Sequence, residues 1–140
     1  MKYATLVTTL YFFVSTMHSS YVETAKGINF YQGSLSEALA TAKQEEKPVF
    51  VYVYATWCGQ CKNLKKSFKD DDTAAYFNTN FINVAIDGET EEGGGVLLKY
   101  WIKAYPTLLI LDGSGRIQTK TTGYLTPYLL TNFGKRIIQN

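Results

Sequence analysis

The stretch Trp57-Cys58-Gly59-Gln60-Cys61-Lys62 constrains this chain more than any other. It carries the only two cysteines among 140 residues, three positions apart, directly after the apolar run 49–55. That run is β-branched and aromatic without strict alternation, as expected of a strand covered on both faces. Two thiols at this spacing can close into a disulfide and reopen without displacing the rest of the chain. Three uses compete for such a pair: a structural bridge, a metal site and dithiol–disulfide exchange. A bridge over so short a loop restricts the unfolded chain very little. A structural zinc site needs four ligands, and the single histidine, His18, lies in a segment expected to be removed. Redox exchange is therefore the favoured reading. It requires no metal and no cofactor other than the redox-active Cys58–Cys61 disulfide.

The N-terminus reads as a secretory leader. Lys2 supplies a positive start, residues 4–14 an apolar stretch, and Ser15, Ser19 and Ser20 a small polar end. Residues 1–20 are expected to be a signal peptide and residues 21–140 one mature domain, placed in the periplasm or secreted. The cleavage position stays open, because Met17 or His18 stands three residues before a cut after Ser19 or Ser20. The apolar stretch is shorter than the roughly 20 residues of a comfortable membrane span. Of the 14 basic residues Lys2 leaves with the leader, so the remaining 13 face 12 acidic ones. No basic stripe argues for nucleic acid or an anionic membrane surface. With 46% apolar residues the chain has ample material for a core.

Along the mature chain, Gly27 to Gly33 alternates apolar and polar residues and predicts a short first strand. Ser34 and Glu37 form a capping box ahead of a helix over about 34–46, which Pro48 ends. The strand 49–55 follows, and a helix starts at the cysteine pair with Leu64 and Phe68 facing inward. Asp70-Asp71-Asp72 is expected to interrupt that helix, with Asp72 capping the next segment. Consecutive aspartates point apart, so a calcium site is not expected there. Residues 81–87 form a second core strand, parallel to the first across the helical crossover. Gly88 to Gly95 is expected to be a loop, since no Lys-Ser/Thr follows its three glycines as in a nucleotide-binding loop. Val96, Leu97, Tyr100 and Trp101 supply the buried face of a short helix. Strands at 107–111 and 116–122 join through Asp112-Gly113-Ser114-Gly115. A last helix begins near Pro127, with Leu129, Leu130, Phe133, Ile137 and Ile138 as its apolar stripe. The predicted order βαβαβαββα is an α/β fold, a central mixed sheet flanked by helices in a three-layer sandwich.

The chain resembles the thioredoxin superfamily from about Gly27 to Ile138. The resemblance rests on Trp57-Cys58-Gly59-Gln60-Cys61-Lys62 after the first core strand, Tyr105-Pro106-Thr107 before the third, and Gly123 after the fourth. The opening Gly27-Ile28-Asn29-Phe30, with Glu37-Ala38 and Lys43, is similar to the small exported thioredoxin-like proteins of Bacteroides-type bacteria. The resemblance implies the thioredoxin fold and a cis Pro106 beside the disulfide. It also implies a substrate-binding rim of Trp57, Gly59, Gln60, Tyr105, Pro106 and Gly123. The backbone of Tyr105 would pair with an extended substrate strand.

The attacking species in exchange is a thiolate, and an ordinary cysteine is mostly protonated at neutral pH. At the start of a helix the unsatisfied N–H groups and the positive dipole end face the Cys58 sulfur, lowering its pKa by about one unit. Cys58 is thus the expected nucleophile and Cys61, one turn deeper, the resolving thiol. Gln60 stands where the family more often has proline, which restores a backbone donor and conformational freedom. Two further positions depart from the family. Tyr52 replaces a buried acid six residues before the nucleophile, and Asn83 replaces a partner lysine. A phenol is a poor base near neutrality, so Asp87, Glu89 or water is left as proton acceptor. The expected function is thiol-disulfide oxidoreduction of protein disulfides, a reductase by preference, working as a monomer and recharged by a membrane thiol relay. A disulfide oxidase or isomerase is the alternative enzyme. A non-catalytic, chaperone-like peptide-binding module is the alternative outside enzymology.

Overall fold

The computed structural model describes residues 26–138, so the proposed leader and the residues 21–25 that follow it lie outside the described part. Among the described residues nine elements follow one another: α1 (Leu35–Glu45), β1 (Val49–Tyr54), α2 (Gly59–Ser67), α3 (Asp71–Asn80), β2 (Ile82–Asp87), α4 (Glu91–Lys99), β3 (Thr107–Leu111), β4 (Ile117–Thr122) and α5 (Pro127–Ile138). The four strands form one mixed sheet in the order β2-β1-β3-β4. β1 runs parallel to β2 and antiparallel to β3, and β3 runs antiparallel to β4.

Alternation along β1 divides the core. Val49, Val51 and Val53 pack with Leu35, Ala38, Ala42, Val96 and Tyr100, so α1 and α4 cover that face. Phe50 and Tyr52 pack with Leu64, Phe68, Phe77, Leu130 and Phe133, so α2, α3 and α5 cover the other. The first five residues of β1 are buried, which fits its place inside the sheet. This is the expected three-layer α/β sandwich of the thioredoxin fold.

Four local expectations are corrected. Gly27–Gly33 forms no strand, although Ile28 and Phe30 side with one core layer and Tyr31 with the other. Its N–H groups find separate acceptors: Ile28 donates to Phe68 O (2.9 Å), Asn29 to Asn78 Oδ1 (2.8 Å) and Tyr31 to Asn83 O (2.7 Å). The alternation therefore reports side-chain faces without a ladder behind them. The cap of α3 is Asp70, not Asp72, and its carboxylate accepts from Thr73 N–H at 2.9 Å. That bond holds the Asp70 carboxyl below the usual range.

The three glycines expected in a loop lie inside α4. Thr90 caps this helix, accepting from Gly93 N–H at 3.1 Å, and Glu91 and Glu92 occupy the first turn, where carboxylates suit the dipole. Glu92 also reaches the Leu35 N–H at 2.8 Å, tying α4 to the start of α1. Trp101 lies beyond the end of α4 with φ 52° and is 78% exposed rather than buried. Lys120 Nζ donates to the carbonyls of Tyr100 and Trp101, 2.9 Å each, and so satisfies this helix end.

The glycines of α4 are not equivalent. A Cβ on Gly93 would overlap the Asp87 carbonyl and Gly88 Cα, whereas one on Gly94 or Gly95 meets nothing within 4 Å. Gly94→Ala and Gly95→Ala are each expected to raise stability by about 0.5–1 kcal/mol. Gly93→Ala is expected to lower it by about 1–3 kcal/mol through overpacking. Urea midpoints of the three variants check this, and equal effects at all three positions would contradict it.

Candidate active site

β1 ends at Tyr54, and four residues later Cys58 caps α2 with extended backbone (φ −77°, ψ 114°). Its sulfur accepts from the Cys61 N–H at 3.1 Å, so one of the orphan donors of the helix start points at Cys58 Sγ. The first turn of α2 carries no acidic residue, leaving the positive end of the helix dipole uncompensated there. Cys58 and Cys61 form a disulfide with a Cα–Cα distance of 5.3 Å. Cys58 is 5% exposed and Cys61 2%, and Leu64, one turn further, is fully buried. Lys62, Lys65 and Lys66 occupy the outer face of the same helix.

The rim expected from the sequence is brought together. Trp57 is 69% exposed, which excludes a core-packing role. Its ring meets Tyr105 edge to face, with centroids 5.8 Å apart at 76°. The Tyr105–Pro106 peptide bond is cis. Gly123 N–H donates to Pro106 O at 2.8 Å and Gly123 takes φ 91°, a left-handed conformation that favours glycine. Gln60 Oε1 lies 3.5 Å from where a Cβ on Gly123 would stand, so Gln60 leans over that residue. Gly59 is exposed, with open space where a side chain would be.

The two departures from the family pattern have structural explanations. Tyr52 is buried beneath α2, and its hydroxyl donates to the Cys61 carbonyl at 3.3 Å. Its ring stacks on Tyr54 (5.2 Å, 21°) and meets Phe68 edge-on (4.9 Å, 77°). Phe30, from the irregular N-terminal segment, closes over the same ring at 6.3 Å. Asn83 turns toward other partners, donating to Asn29 O (3.3 Å), Phe77 O (3.4 Å) and Asn78 Oδ1 (3.3 Å). It fastens the N-terminal segment to the end of α3. The two carboxylates considered as proton acceptors each accept from groups other than Cys61. Asp87 Oδ1 accepts from Glu89 N–H at 2.9 Å, and Glu89 Oε1 accepts from the Tyr105 hydroxyl at 3.2 Å. Spacing in the sequence gave no sign of the Glu89–Tyr105 contact, because it forms only when the turn after β2 meets the loop before β3. Among the described residues no group of three or more His, Cys, Asp or Glu is placed to hold a metal.

Burial, and secondarily the neighbouring Tyr54, push the Tyr52 phenol well above its ordinary value. The native state therefore favours neutral Tyr52, and its contribution is complete below the unfolded phenol pKa near 10. Above that pH the unfolded phenol ionises first, so this contribution declines as pH rises. Tyr52→Phe is expected to cost about 0.5–1.5 kcal/mol at neutral pH by removing the bond to Cys61 O. It should also flatten the fall in stability between pH 9 and 12. Denaturant midpoints across that range for both proteins decide this, and parallel curves would refute it.

Comparison with known proteins agrees with this geometry. A family model described as thioredoxin-like matches residues 29–113. Protein disulfide-isomerase 1 of Dictyostelium discoideum is 36% identical over 75 residues, covering 53% of this chain and 21% of that protein. The thiol:disulfide interchange protein DsbD of Escherichia coli is 30% identical over 111 residues, covering 74% of this chain and 19% of its own length. The chain thus spans only about a fifth of such relatives. The solution structure of a candidate disulphide-isomerase from Bacteroides thetaiotaomicron matches with TM-score 0.68 and 44% identity, over 77% of this chain and 91% of that one. Matched over more than half its length by the family model and carrying a CxxC disulfide at the start of α2, the chain belongs to the thioredoxin-like family.

Proposed function

We propose that this chain is a thiol-disulfide oxidoreductase that reduces protein disulfides, with Cys58 as nucleophile and Cys61 as resolving thiol. The observation that carries this reading is the Cys61 N–H aimed at Cys58 Sγ at the start of α2. In the reduced protein the same donor faces a Cys58 thiolate and stabilises it over the thiol. That thiolate attacks one sulfur of a substrate disulfide, the substrate S–S bond breaks, and a substrate thiolate leaves. The Cys61 thiolate then attacks Cys58 Sγ in the mixed disulfide. This closes the Cys58–Cys61 bond and releases the second substrate thiol, so two electrons have passed to the substrate. Water takes the Cys61 proton, since Tyr52 is no base and Asp87 and Glu89 are engaged elsewhere. Trp57, Gly59, Gln60, Tyr105, Pro106 and Gly123 form the substrate rim.

The leader at residues 1–20 directs this activity to the periplasm or the exterior. Outside the cytoplasm the oxidised pair must be recharged, and a membrane thiol relay is the donor class that fits. The similarity to a protein named for thiol:disulfide interchange supports a donor that works by thiol exchange. The protein acts as a monomer. Isomerisation is a second reading, supported by the name of the 44% identical Bacteroides protein.

Insulin reduction with dithiothreitol tests the proposal. Wild type is expected to accelerate turbidity and Cys58→Ser to abolish the acceleration, while Cys61→Ser retains a mixed disulfide that accumulates on a gel. Turnover unaffected by Cys58→Ser would refute the mechanism. The reduction potential sets the direction: a value near about −270 mV supports a reductase, and one near about −120 mV an oxidant.

A further inference from the structure

Tyr105 is the residue whose backbone would meet a substrate strand, and its side chain is unusually well held for one so near the surface. Three contacts from two different segments fix it. The Trp57 ring meets it edge to face. The Glu89 carboxylate accepts from its hydroxyl at 3.2 Å. Gly88 gives it a seat, since a Cβ there would overlap the phenol oxygen and the Cε1 and Cζ atoms. The tyrosine remains a donor across the physiological range, because partial burial and the carboxylates of Glu89 and Asp87 push its pKa up.

Glu89 is itself held. Its N–H donates to Asp87 Oδ1 at 2.9 Å. Thr90 beside it donates to Asp87 O at 2.8 Å while capping α4, and Gly88 N–H donates to Tyr54 O at 2.8 Å at the end of β1. The turn that presents the carboxylate is therefore anchored to both β1 and α4. A carboxylate on such a mount can orient a partner across the loop, but its contact is with Tyr105 and not with a thiol.

We infer that Glu89 is a positioning residue of the substrate site. It fixes the Tyr105 ring against Trp57, so that the two rings form one wall of the groove in which an extended polypeptide meets Cys58. This rests on the oxidoreductase reading and deepens it: Glu89 serves substrate binding rather than proton transfer. The two roles demand different chemistry. At position 89 a proton acceptor needs the ionised carboxylate, whereas a positioning group needs only an oxygen that accepts from the phenol, which glutamine also provides.

Steady-state reduction of insulin disulfides, with kcat and KM measured separately, distinguishes them. Glu89→Ala is expected to raise KM about three- to tenfold, the worth of one hydrogen bond, with kcat within about twofold. Glu89→Gln should return KM to within about twofold of wild type. Tyr105→Phe should raise KM as Glu89→Ala does, and combining the two should add nothing, as for two halves of one interaction. An unchanged KM in Glu89→Ala overturns the inference, as does a Glu89→Gln protein as impaired as Glu89→Ala. So does a loss confined to kcat that accompanies a lowered unfolding temperature. Wild type lacking Cys58-dependent turnover overturns the oxidoreductase reading itself, and that control separates the two failures.

Discussion

The contact on which the site depends is the hydrogen bond from Cys61 N–H to Cys58 Sγ. It exists because a strand stops and a helix starts within four residues, and both ends of that connection are fixed by the core. β1 is paired on both sides, by β2 through Val49–Tyr54 and by β3 through Val49–Val53. Its Cα positions therefore cannot slip without moving every side chain to the opposite layer. α2 is fixed in turn by Cys61, Leu64 and Ser67 on its buried face, with the Ser67 hydroxyl donating to Leu125 O at 2.8 Å. With strand and helix both anchored, Cys58 occupies the cap and its sulfur takes the donor that the helix cannot satisfy internally. The rest of the chain supplies the packing that makes this joint rigid.

The turn that holds Tyr105 depends on α4, by a route that runs through glycine. Because Gly93 lacks a side chain, the first turn of α4 can lie against the Asp87 carbonyl and Gly88. That close approach sets the 87–90 turn, and the turn presents Gly88 and Glu89 to Tyr105. A helix containing three successive glycines is costly by propensity alone. Here the cost at Gly93 has a physical cause, whereas nothing in the structure accounts for glycine at positions 94 and 95.

How much of this was legible follows from what each kind of signal reports. The Ser34–Glu37 capping box is present with both of its bonds, because the two partners are three residues apart and the signal is local. β1, the start of α2 and the cis Pro106 were likewise readable, through apolar runs and through resemblance to a known family. The segment Gly27–Gly33 misled because alternation records which layer a side chain joins and not whether neighbouring backbone accepts its N–H groups. The glycines of α4 misled for the converse reason, since their helix depends on the Thr90 cap and on Asp87, which propensity does not see. Trp101 sits just past the end of α4, where a helical periodicity no longer predicts burial. The Glu89–Tyr105 bond joins residues 16 apart and became visible only with the fold.

The change at Tyr52 alters the electrostatics beneath the disulfide as well as its proton transfer. A carboxylic acid buried there would have to stay protonated or carry an unpaired charge in a poorly solvated layer, and a lysine at Asn83 would serve to pair it. This chain has neither group. Tyr52 remains neutral far into the alkaline range, and Asn83 is directed toward Asn29, Phe77 and Asn78. The layer beneath Cys61 is then aromatic, with Phe30, Tyr54 and Phe68 around Tyr52. With no carboxylate in that layer, the features that favour a Cys58 thiolate over the thiol in the reduced protein are the helix N-terminus and the Cys61 N–H.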